Sequence, residues 1–579
     1  MSNTFAGIAY CCCPCRVVRH VHFSITLRFS APSQSRSSHF ILTRLTIAIH
    51  KQLANPSLAN QQDAPKRVHT KLYLRVVVAS SYSAAAMMTP PTKNIVLIGG
   101  GHAHVQVIKA LNVNTRPSNC RVTLIDIQSA ASYSGMVPGC VSKLYTLPQV
   151  QIQIKPLAEW AGIDFVQGKV VGMSLQDEEK KTVQVEVNAE NGGVITKEVP
   201  FDVVSVDIGS TTRDFNRIPG ASQYCISTRP ISDLVVRIQK EEELLKERLK
   251  NNTFKAAHFV VVGGGPAGIE LSLAIRARFN DILHSNLSIT LIDSSDGLLL
   301  GETPACRKAL DSVMSKYKID VRSSLLVDEV TSSHVHVHSS KDESSREKIP
   351  YTHIIWATGA EAHDLSWSLN KQYGLAVSEA RGWIQVNSYL QSLSHPYIFA
   401  AGDCCEIVSD SKKSPPKAGV YAVRSGPILI ENLTRFVGAS KCTQELVPYH
   451  PQDDFLKLLM CGDGTALGFR FGIPLYGKWV WLLKDFIDVM FMDLFDVNKL
   501  PKLDEKKDEY ETSQYDASIE RPPPLVAADA AKLLLRTDDD VDFHRAWDVL
   551  RDMMADDKYK NEVLDIAMLA LDKHPSEIV

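Results

Sequence analysis

Short apolar segments alternate with helix-like segments along the chain from residue 93 onward. The alternation starts twice, with one apolar strand predicted over 94–98 and another over 258–262. Strands that alternate with helices form βαβ units, in which helices cover both faces of a parallel sheet. We therefore predict an α/β fold with two Rossmann-like dinucleotide-binding domains and a C-terminal hairpin and helix.

The pattern also predicts the domain boundaries. The predicted segments are 93–230, 231–365 and 366–450 in the alternating region, 451–500 for a hairpin and amphipathic helix, and 501–579 for an acidic linker and helical tail. The hairpin is predicted from two apolar runs around Gly462-Asp463-Gly464. The charged segment 241–250 predicts an exposed, solvated helix. In the tail, Phe543, Trp547, Leu550 and Met554 recur at helical spacing.

The first 92 residues differ in charge from the rest of the chain. The 579 residues carry 63 basic and 65 acidic side chains, but residues 1–92 contain ten of the bases and a single acid, Asp63. This basic, Ser-rich extension is typical of a transit peptide for a plastid or mitochondrion. The alternative is a start at Met87 or Met88, which would give a cytoplasmic protein. The remainder has 53 bases and 64 acids, a balance that argues against a nucleic-acid partner.

The first predicted strand runs into a glycine-rich turn. The turn consists of Gly99, Gly100, Gly101, His102, Ala103 and His104. Such glycines let the backbone approach a pyrophosphate, and the following strand ends in Asp126, placed to accept hydrogen bonds from a ribose. His104 stands where a third glycine is usual. The two histidines either cap and pack the turn or supply a catalytic imidazole.

The second turn has the complete pattern. Gly263, Gly265 and Gly268 follow a strand and open a helix, and the next strand ends in Asp293. This carboxylate would repel a 2′-phosphate, and no Arg or Lys lies between Asp293 and Arg307 to bind such a phosphate. We therefore expect NADH rather than NADPH.

Two later motifs point to a flavin. The segment 395–403 ends an apolar strand with Gly402-Asp403, and 354–359 ends in Ala357-Thr358-Gly359. These resemble the second FAD motif and the closing strand of the NAD domain in flavoproteins with two dinucleotide-binding domains. The resemblance implies that the second domain interrupts the first, with 93–230 and 366–450 forming the FAD-binding domain and 231–365 the NAD(P)H-binding domain. It also implies that FAD occupies the first turn, that Asp403 binds its ribityl chain and that Gly359 lies in the NADH site.

Three further motifs narrow the family. Residues 132–139, 207–210 and 416–424 resemble the type II NADH dehydrogenase-like flavoprotein domain that in some organisms is fused ahead of selenide, water dikinase. The resemblance covers about residues 93–495. The flavoprotein domain that it points to is a member of the pyridine nucleotide-disulfide oxidoreductase superfamily. Two features depart from it: Ser425 stands where Gln is expected, and an acidic tail replaces the dikinase.

The resemblance also implies catalytic roles. Hydride passes from nicotinamide to flavin, and Glu270 matches an acidic residue that points at both rings; otherwise it is a first-turn carboxylate that favours the helix dipole. Lys417, Ala418, Gly419 and Val420 would lie at the pyrimidine end of the flavin, where Lys417 could stabilise the reduced anion; otherwise they simply begin a helix. Cys140 has no neighbouring cysteine, and the adjacent Cys404 and Cys405 are an unsuitable pair for a disulfide, so thiol chemistry is a minor alternative. No metal site is predicted.

The electron acceptor is predicted from the segment 479–495. It has 13 apolar and four charged positions, too interrupted to span a bilayer. The resemblance implies peripheral membrane contact and a quinone acceptor. For the segment, the alternatives are a homodimer interface or a lid on the core. For the protein, the alternatives are a soluble reductase of another small acceptor, such as one linked to selenium or sulfur, or an FAD- and NADH-binding redox sensor.

Overall fold

The computed structural model describes residues 92–175, 180–189, 192–409, 414–438 and 445–503, and the backbone of two N-terminal strands. Those strands, Ser2–Ala9 and Val21–Arg28, pair antiparallel within a separate unit, Met1–Met87. The rest of the predicted extension and the tail with Phe543 and Trp547 lie outside the described residues.

A five-stranded parallel sheet forms the first domain. From edge to edge its strands are Ile398–Ala400, Val203–Val206, Lys93–Ile98, Cys120–Asp126 and Asp164–Gln167. The helices of this part include His104–Ala110, Ile154–Trp160 and Gly419–Gly438. Ile95, Val96 and Leu97 are fully buried, because both faces of the sheet are covered. Ile95 and Leu97 share a buried cluster with helix residues such as Ile108, whereas Val96 shares one with residues of the antiparallel strands, such as Val183. The edge strand Ile398–Ala400 comes from late in the chain, so the sheet is assembled from two distant segments.

A second five-stranded parallel sheet is inserted between them. Its strands are Ile226–Ser227, His353–Trp356, Ala257–Val262, Leu287–Ile292 and Asp320–Arg322. Its helices include Ile231–Lys250, Pro266–Leu283 and Pro304–Lys316. The chain enters and leaves through Thr211–Thr212 and Ala360–Glu361, which pair antiparallel. The predicted α/β fold with two Rossmann-like units, one interrupting the other, is confirmed.

Smaller antiparallel elements lie between these sheets in the chain. Two three-stranded units consist of Lys169–Ser174, Thr182–Asn188 and Val194–Pro200, and of Leu325–Val330, His334–Ser339 and Asp342–Pro350. Of two short pairs, Ala131–Ser132 and Gln151–Ile152 are antiparallel, whereas Ile384–Val386 and Cys405–Ile407 are parallel. The remaining described helices and helical turns are Ser134–Met136, Val137–Val141, Pro148–Val150, Ala221–Tyr224, His284–Asn286, Asp364–Tyr373 and Gly402–Cys404.

The C-terminal part has one strand more than the hairpin predicted there. The strands Lys457–Met460, Ala466–Arg470 and Ile473–Gly477 pair antiparallel, and helix Lys478–Asp493 follows directly. The first turn uses Gly462 and Gly464, both at positive φ, which glycine adopts without strain. Among the described helices, none has the length and apolar character needed to cross a membrane.

The charged helix Ile231–Lys250 is only partly solvated, so the prediction of an exposed face over 241–250 is wrong at Glu242. This residue is 3% exposed, and its carboxylate lies 2.7 Å from both Arg278 and Lys246 and also bonds Lys143. Burial alone would raise the pKa of Glu242, but hydrogen bonds from the two lysines hold it down to about 2. The buried carboxylate is stable here because three cations neutralise it.

Replacing Arg278 by Met is expected to destabilise the fold by about 3 kcal/mol. Of the three cations around the buried Glu242 carboxylate, Arg278 is the buried one, and the change removes it. Urea unfolding would measure the loss. The matched control is Arg435→Met, which breaks the more exposed Arg435–Glu431 pair and should cost less than about 1 kcal/mol. Equal losses in the two variants would contradict this account of the Glu242 cluster.

Candidate active site

The first glycine turn joins strand Lys93–Ile98 to helix His104–Ala110 and leaves no room for side chains. A Cβ on Gly99, where φ is +88°, would lie 2.4 Å from the backbone oxygen of Asp207. On Gly100, it would lie 2.7 Å from Ile154. Asp126 accepts a hydrogen bond from the Gly100 N–H at 2.6 Å, so the carboxylate predicted to meet a ribose lies beside the turn.

The two histidines of this turn have different surroundings. His104 is fully buried, with Nδ1 2.6 Å from the Gly99 oxygen and Nε2 2.8 Å from Ser205 Oγ. Burial lowers the pKa of His104 to about 4, so the ring is neutral and holds the turn to the neighbouring strand. Nε2 of His102 is also buried but has no hydrogen-bond partner, and its ring lies edge-on to Tyr133. The structure thus favours a packing role for His104 and leaves His102 available to a ligand.

Asp207 is a site residue that the sequence does not identify by itself. It comes directly after strand Val203–Val206 and is 3% exposed. Its Oδ2 accepts the N–H groups of Ala103 at 2.9 Å and His104 at 3.1 Å. Burial raises its pKa to about 6. The only sequence signal was its place in the motif 207–210, which assigns it no function.

The second turn leads from strand Ala257–Val262 into helix Pro266–Leu283. A Cβ on Gly263 would lie 2.3 Å from the Ala357 oxygen, and one on Gly268 would lie 1.8 Å from the Gly263 oxygen. Gly264 N–H donates to Asp293 Oδ1 at 3.0 Å. Gly265, in contrast, has open space on its Cβ side. The turn is therefore packed tightly against the sheet and open toward a ligand.

A cavity of about 770 Å³ opens between the second turn and the first domain. Of the predicted site residues, its wall contains Gly263, Gly265, Glu270, Asp293, Gly359, Asp403, Lys417, Ala418 and Gly419. Outside this wall lie Gly99, Gly100, Gly101, His102, Ala103, His104, Asp126, Gly268, Gly402 and Val420. One space is thus shared by the predicted NADH site and the predicted flavin end of the first domain.

Asp403 connects the two sides of this cavity. Its Oδ2 accepts a hydrogen bond from Ser210 Oγ at 3.2 Å and lies 3.6 Å from the Arg229 guanidinium. Arg229 also donates to the Gly359 oxygen at 3.2 Å. The carboxylate predicted to bind a ribityl chain is therefore linked through one guanidinium to the turn of the nucleotide side.

Lys417 lies at the first-domain wall, just before helix Gly419–Gly438. Its ammonium donates to the backbone oxygen of Cys405 and lies 4.4 Å from the centre of the Trp383 ring. The positive charge is therefore held in place at the cavity. Its predicted action on a flavin remains a prediction.

Glu270 is half-buried in the first part of helix Pro266–Leu283, and its carboxylate faces the C-terminal strands. Its Oε1 accepts the N–H of Met460 at 2.8 Å. Burial raises its pKa to about 7, against the opposing charge of Lys484. A carboxyl with this pKa is divided between its two protonation states near neutral pH, which suits proton transfer.

The C-terminal helix contributes two buried charges that the sequence does not place. Lys484 and Asp488, one turn apart on Lys478–Asp493, form an ion pair of 2.8 Å, and the Lys484 ammonium also donates to the Gly135 oxygen at 2.9 Å. The Tyr133 phenol hydrogen-bonds to Asp488. These two charges point inward, so the helix does not present all its charges to solvent. Through Lys484 it contacts Gly135, which belongs to the cavity wall.

The cysteines support the prediction of chemistry without thiols. The described cysteines are free thiols, and the Sγ atoms of Cys404 and Cys405 contact backbone oxygens. Burial raises the pKa of Cys405 to about 12, so its reactive thiolate is disfavoured. Within the described ranges, no group of three or more His, Cys, Asp or Glu side chains is arranged to hold a metal ion.

Two dinucleotide-binding folds, one inserted in the other, meet at one cavity. This arrangement defines an oxidoreductase of the two-domain flavoprotein class. The sequence profile of the pyridine nucleotide-disulphide oxidoreductase family matches residues 93–426, more than half of the chain. The chain belongs to this family.

Relatives with known names are distant. The external alternative NADH-ubiquinone oxidoreductase of Yarrowia lipolytica mitochondria is 22% identical over 66% of this chain and 66% of its own length, and the type II NADH:quinone oxidoreductase of Haemophilus influenzae is 23% identical over 56% of this chain and 77% of its own. The chain spans only 58% to 66% of the first fungal relatives. The structure of NDH2 from Plasmodium falciparum in complex with NADH superposes with a TM-score of 0.60 at 16% identity, covering 71% of this chain and all of that one. This similarity shows a shared fold.

Proposed function

We propose that the chain is an FAD-dependent oxidoreductase that passes two electrons from NADH to a quinone. The shared cavity carries the proposal, because it brings Gly265 of the second turn, Asp403 and Lys417 of the first domain, and Glu270 to one space. Redox cofactors supply the electron chemistry, and the protein must bring them within reach and exclude water. A cavity between two nucleotide-binding folds meets the first requirement.

The residues of the first domain fit a flavin dinucleotide. The turn has no side chains at three successive positions, and the His102 ring offers a buried nitrogen without a partner. Asp403 lines the cavity with its carboxylate, as a ribityl hydroxyl requires. FAD, when bound, supplies a ring system that accepts a hydride and returns two electrons. The chain's own groups hold the dinucleotide at the first turn and orient its reactive end toward the second.

Glu270 supplies the proton that the reaction needs. Transfer of a hydride and a proton converts NADH and a quinone into NAD⁺ and a quinol, so one proton must come from the protein or water. Glu270 is half-buried, lines the cavity and has its pKa raised to about 7, so its carboxyl oxygen can carry that proton. Lys484 and Asp488 hold a fixed charge pair nearby.

We further propose that the C-terminal part contacts a membrane from one side, and that this brings a lipid-soluble quinone to the cavity. Phe471 is 66% exposed, and Leu482 and Val489 are exposed on helix Lys478–Asp493. The inward ion pair leaves this outer side more apolar than the sequence indicates, which suits an interfacial helix. Relatives are named as mitochondrial, and the basic N-terminal extension supports an organellar location here. A homodimer interface is the alternative use of the same surface.

The finer likeness to the flavoprotein domain fused with selenide, water dikinase stays a proposal, supported by the motifs at 132–139, 207–210 and 416–424. An acceptor containing sulfur or selenium would call for an accessible thiolate. The buried Cys404 and Cys405 do not provide one, which favours the quinone.

Steady-state NADH oxidation by the full-length protein tests the proposed function. With a short-chain quinone we expect sustained turnover, and with sulfide-derived or selenium-containing acceptors only slow oxidation. Flavin reduction by NADH without sustained turnover on quinones would favour a redox sensor instead. Loss of vesicle binding in Leu482→Glu/Val489→Glu, with turnover on the soluble quinone retained, would support the membrane surface, and a dimer-to-monomer change would support the interface.

NADH is expected to be preferred over NADPH by at least about tenfold in kcat/KM. Asp293 holds the second turn through Gly264 N–H and Ser295 N–H, so its charge stays where a 2′-phosphate would approach. Comparison of the two nucleotides under identical conditions gives the ratio. Equal kcat/KM values would contradict the assigned role of Asp293.

A further inference from the structure

The buried carboxyl of Asp207 lies between two turns of the first domain: the first glycine turn, 99–104, and the returning turn at Gly402-Asp403. A Cβ on Gly101 would lie 2.3 Å from its Oδ1, and one on Gly402 would lie 2.6 Å from the same oxygen. Its Oδ2 holds the N–H groups of Ala103 and His104. Both turns that would surround a flavin dinucleotide are therefore built around one carboxyl.

Asp207 also takes most of the donors that a diphosphate would use. Gly100 N–H donates to Asp126, and Gly101 N–H donates to the backbone oxygen of Asp207 at 3.2 Å. With Ala103 and His104 bound to the carboxylate, the N–H of His102 is the one backbone donor between residues 100 and 104 with no acceptor in the described part of the chain. A diphosphate at this turn would meet few free donors and a competing carboxylate.

The surroundings of Asp207 do not neutralise it. The groups facing it are the rings of His102 and His104 in the first turn, Asp403 in the returning turn, and the thiols of Cys404 and Cys405, with Lys417 held beyond them on the Cys405 oxygen. Among the described residues, no Lys or Arg forms an ion pair with it. Burial raises the pKa of Asp207 to about 6, and a second anion beside it would raise the pKa further.

We propose that Asp207 determines how tightly the chain holds its flavin dinucleotide, and that the tightly bound state carries a proton on this carboxyl. A protonated carboxyl removes the repulsion and can donate a short hydrogen bond to a phosphate oxygen. The proposal rests on the proposed function, which places FAD at the first turn.

The direction of the pH effect follows from linkage. The bound state holds one proton more than the free state between the two pKa values of the carboxyl, so binding weakens as the pH rises through that range. Below pH 6 the carboxyl is mostly protonated in both states, and the effect disappears. Flavin retention should therefore fall between about pH 6 and pH 8.

Flavin release from the holoenzyme tests the proposal. The protein is diluted into buffers from pH 5.5 to 8.5, and free FAD is followed by its fluorescence. We expect the wild type to release flavin at least about tenfold faster at pH 8 than at pH 6. Asp207→Asn keeps the shape and one acceptor oxygen without the charge, so its release should be slow and nearly independent of pH.

Asp126→Asn is the matched control, because Asp126 also accepts an N–H of the same turn. It should change the level of release and keep the wild-type dependence on pH. A wild-type slope in Asp207→Asn, or a slope lost only in Asp126→Asn, would overturn the proposal.

A second measurement needs only the wild type. When flavin leaves the holoenzyme at pH 7 in weak buffer, an indicator dye should report release of about one proton per flavin. Release of flavin without protons would overturn the proposal even if Asp207→Asn does not fold. A protein purified without flavin would instead contradict the proposed function, so the two failures are distinguishable.

Discussion

Replacing Glu270 by Gln is expected to slow turnover with a quinone by about 100-fold, because removal of a positioned proton donor typically costs a factor of this order or more. Gln keeps the size of the side chain and its acceptor oxygen for Met460 N–H, but it cannot carry a proton. The wild-type rate should fall as the pH rises above 7, where Glu270 loses its proton, whereas the rate of the variant should be flat.

Steady-state rates from pH 5.5 to 9 at saturating substrates would measure both effects. Folding should not suffer, because burial disfavours the charged form of Glu270 and the neutral amide removes that cost above pH 7. The matched control is Glu302→Gln, since Glu302 bonds Lys457 of the same strand unit but does not line the cavity. A full-rate Glu270→Gln enzyme with the wild-type pH profile would exclude Glu270 as the proton donor.

Replacing Gly265 by Asp is expected to raise the KM for NADH by about 100-fold or more, with flavin content unchanged. Gly265 has φ −72° and open space on its Cβ side, so an aspartate can be accommodated without backbone strain. Its carboxylate would lie at the opening of helix Pro266–Leu283, where the nucleotide diphosphate is predicted to bind. Like charges placed together in such a site cost several kcal/mol.

Binding of NADH to the variant can be followed by the bleaching of the flavin absorbance over a range of NADH concentrations. Gly301→Asp is the control, because Gly301 also has open space but lies outside the cavity wall. Its KM should equal that of the wild type. An unchanged KM in Gly265→Asp would show that NADH does not bind at the second turn.

The glycine turns could be predicted from the sequence because their constraint is local. A strand, a turn without side chains and a helix follow one another within a few residues, and Gly263 and Gly268 are required by backbone atoms of the same unit or its neighbouring strand. The strand-end residues Asp126 and Asp293 follow from the same regularity, since each comes directly after an apolar run. The two dinucleotide-binding units were therefore predictable from spacing alone, whereas the insertion of one in the other was implied by the family resemblance.

The charged residues of the interior could not be placed in this way. Glu242, Lys484 and Asp488 lie on helices with many other charges, and only contacts with distant segments decide which of them face inward. The placement of Asp207 depends on two turns, at Gly101 and Gly402, that are 301 residues apart in the chain.

The antiparallel units, in contrast, have a local signal in the sequence. In Thr182–Asn188 and His334–Ser339 valines alternate with polar residues, the pattern of a half-buried strand. A search for this alternation would have found both units.

Anaerobic stopped-flow absorbance near 450 nm tests the central claim most directly. The full-length protein, as purified with its flavin, is mixed first with NADH and then with a short-chain quinone. The account predicts rapid bleaching by NADH, slow bleaching by NADPH and fast recovery of absorbance with the quinone. A flavin-containing protein that NADH does not bleach would contradict the claim that the shared cavity brings the two nucleotides together for electron transfer.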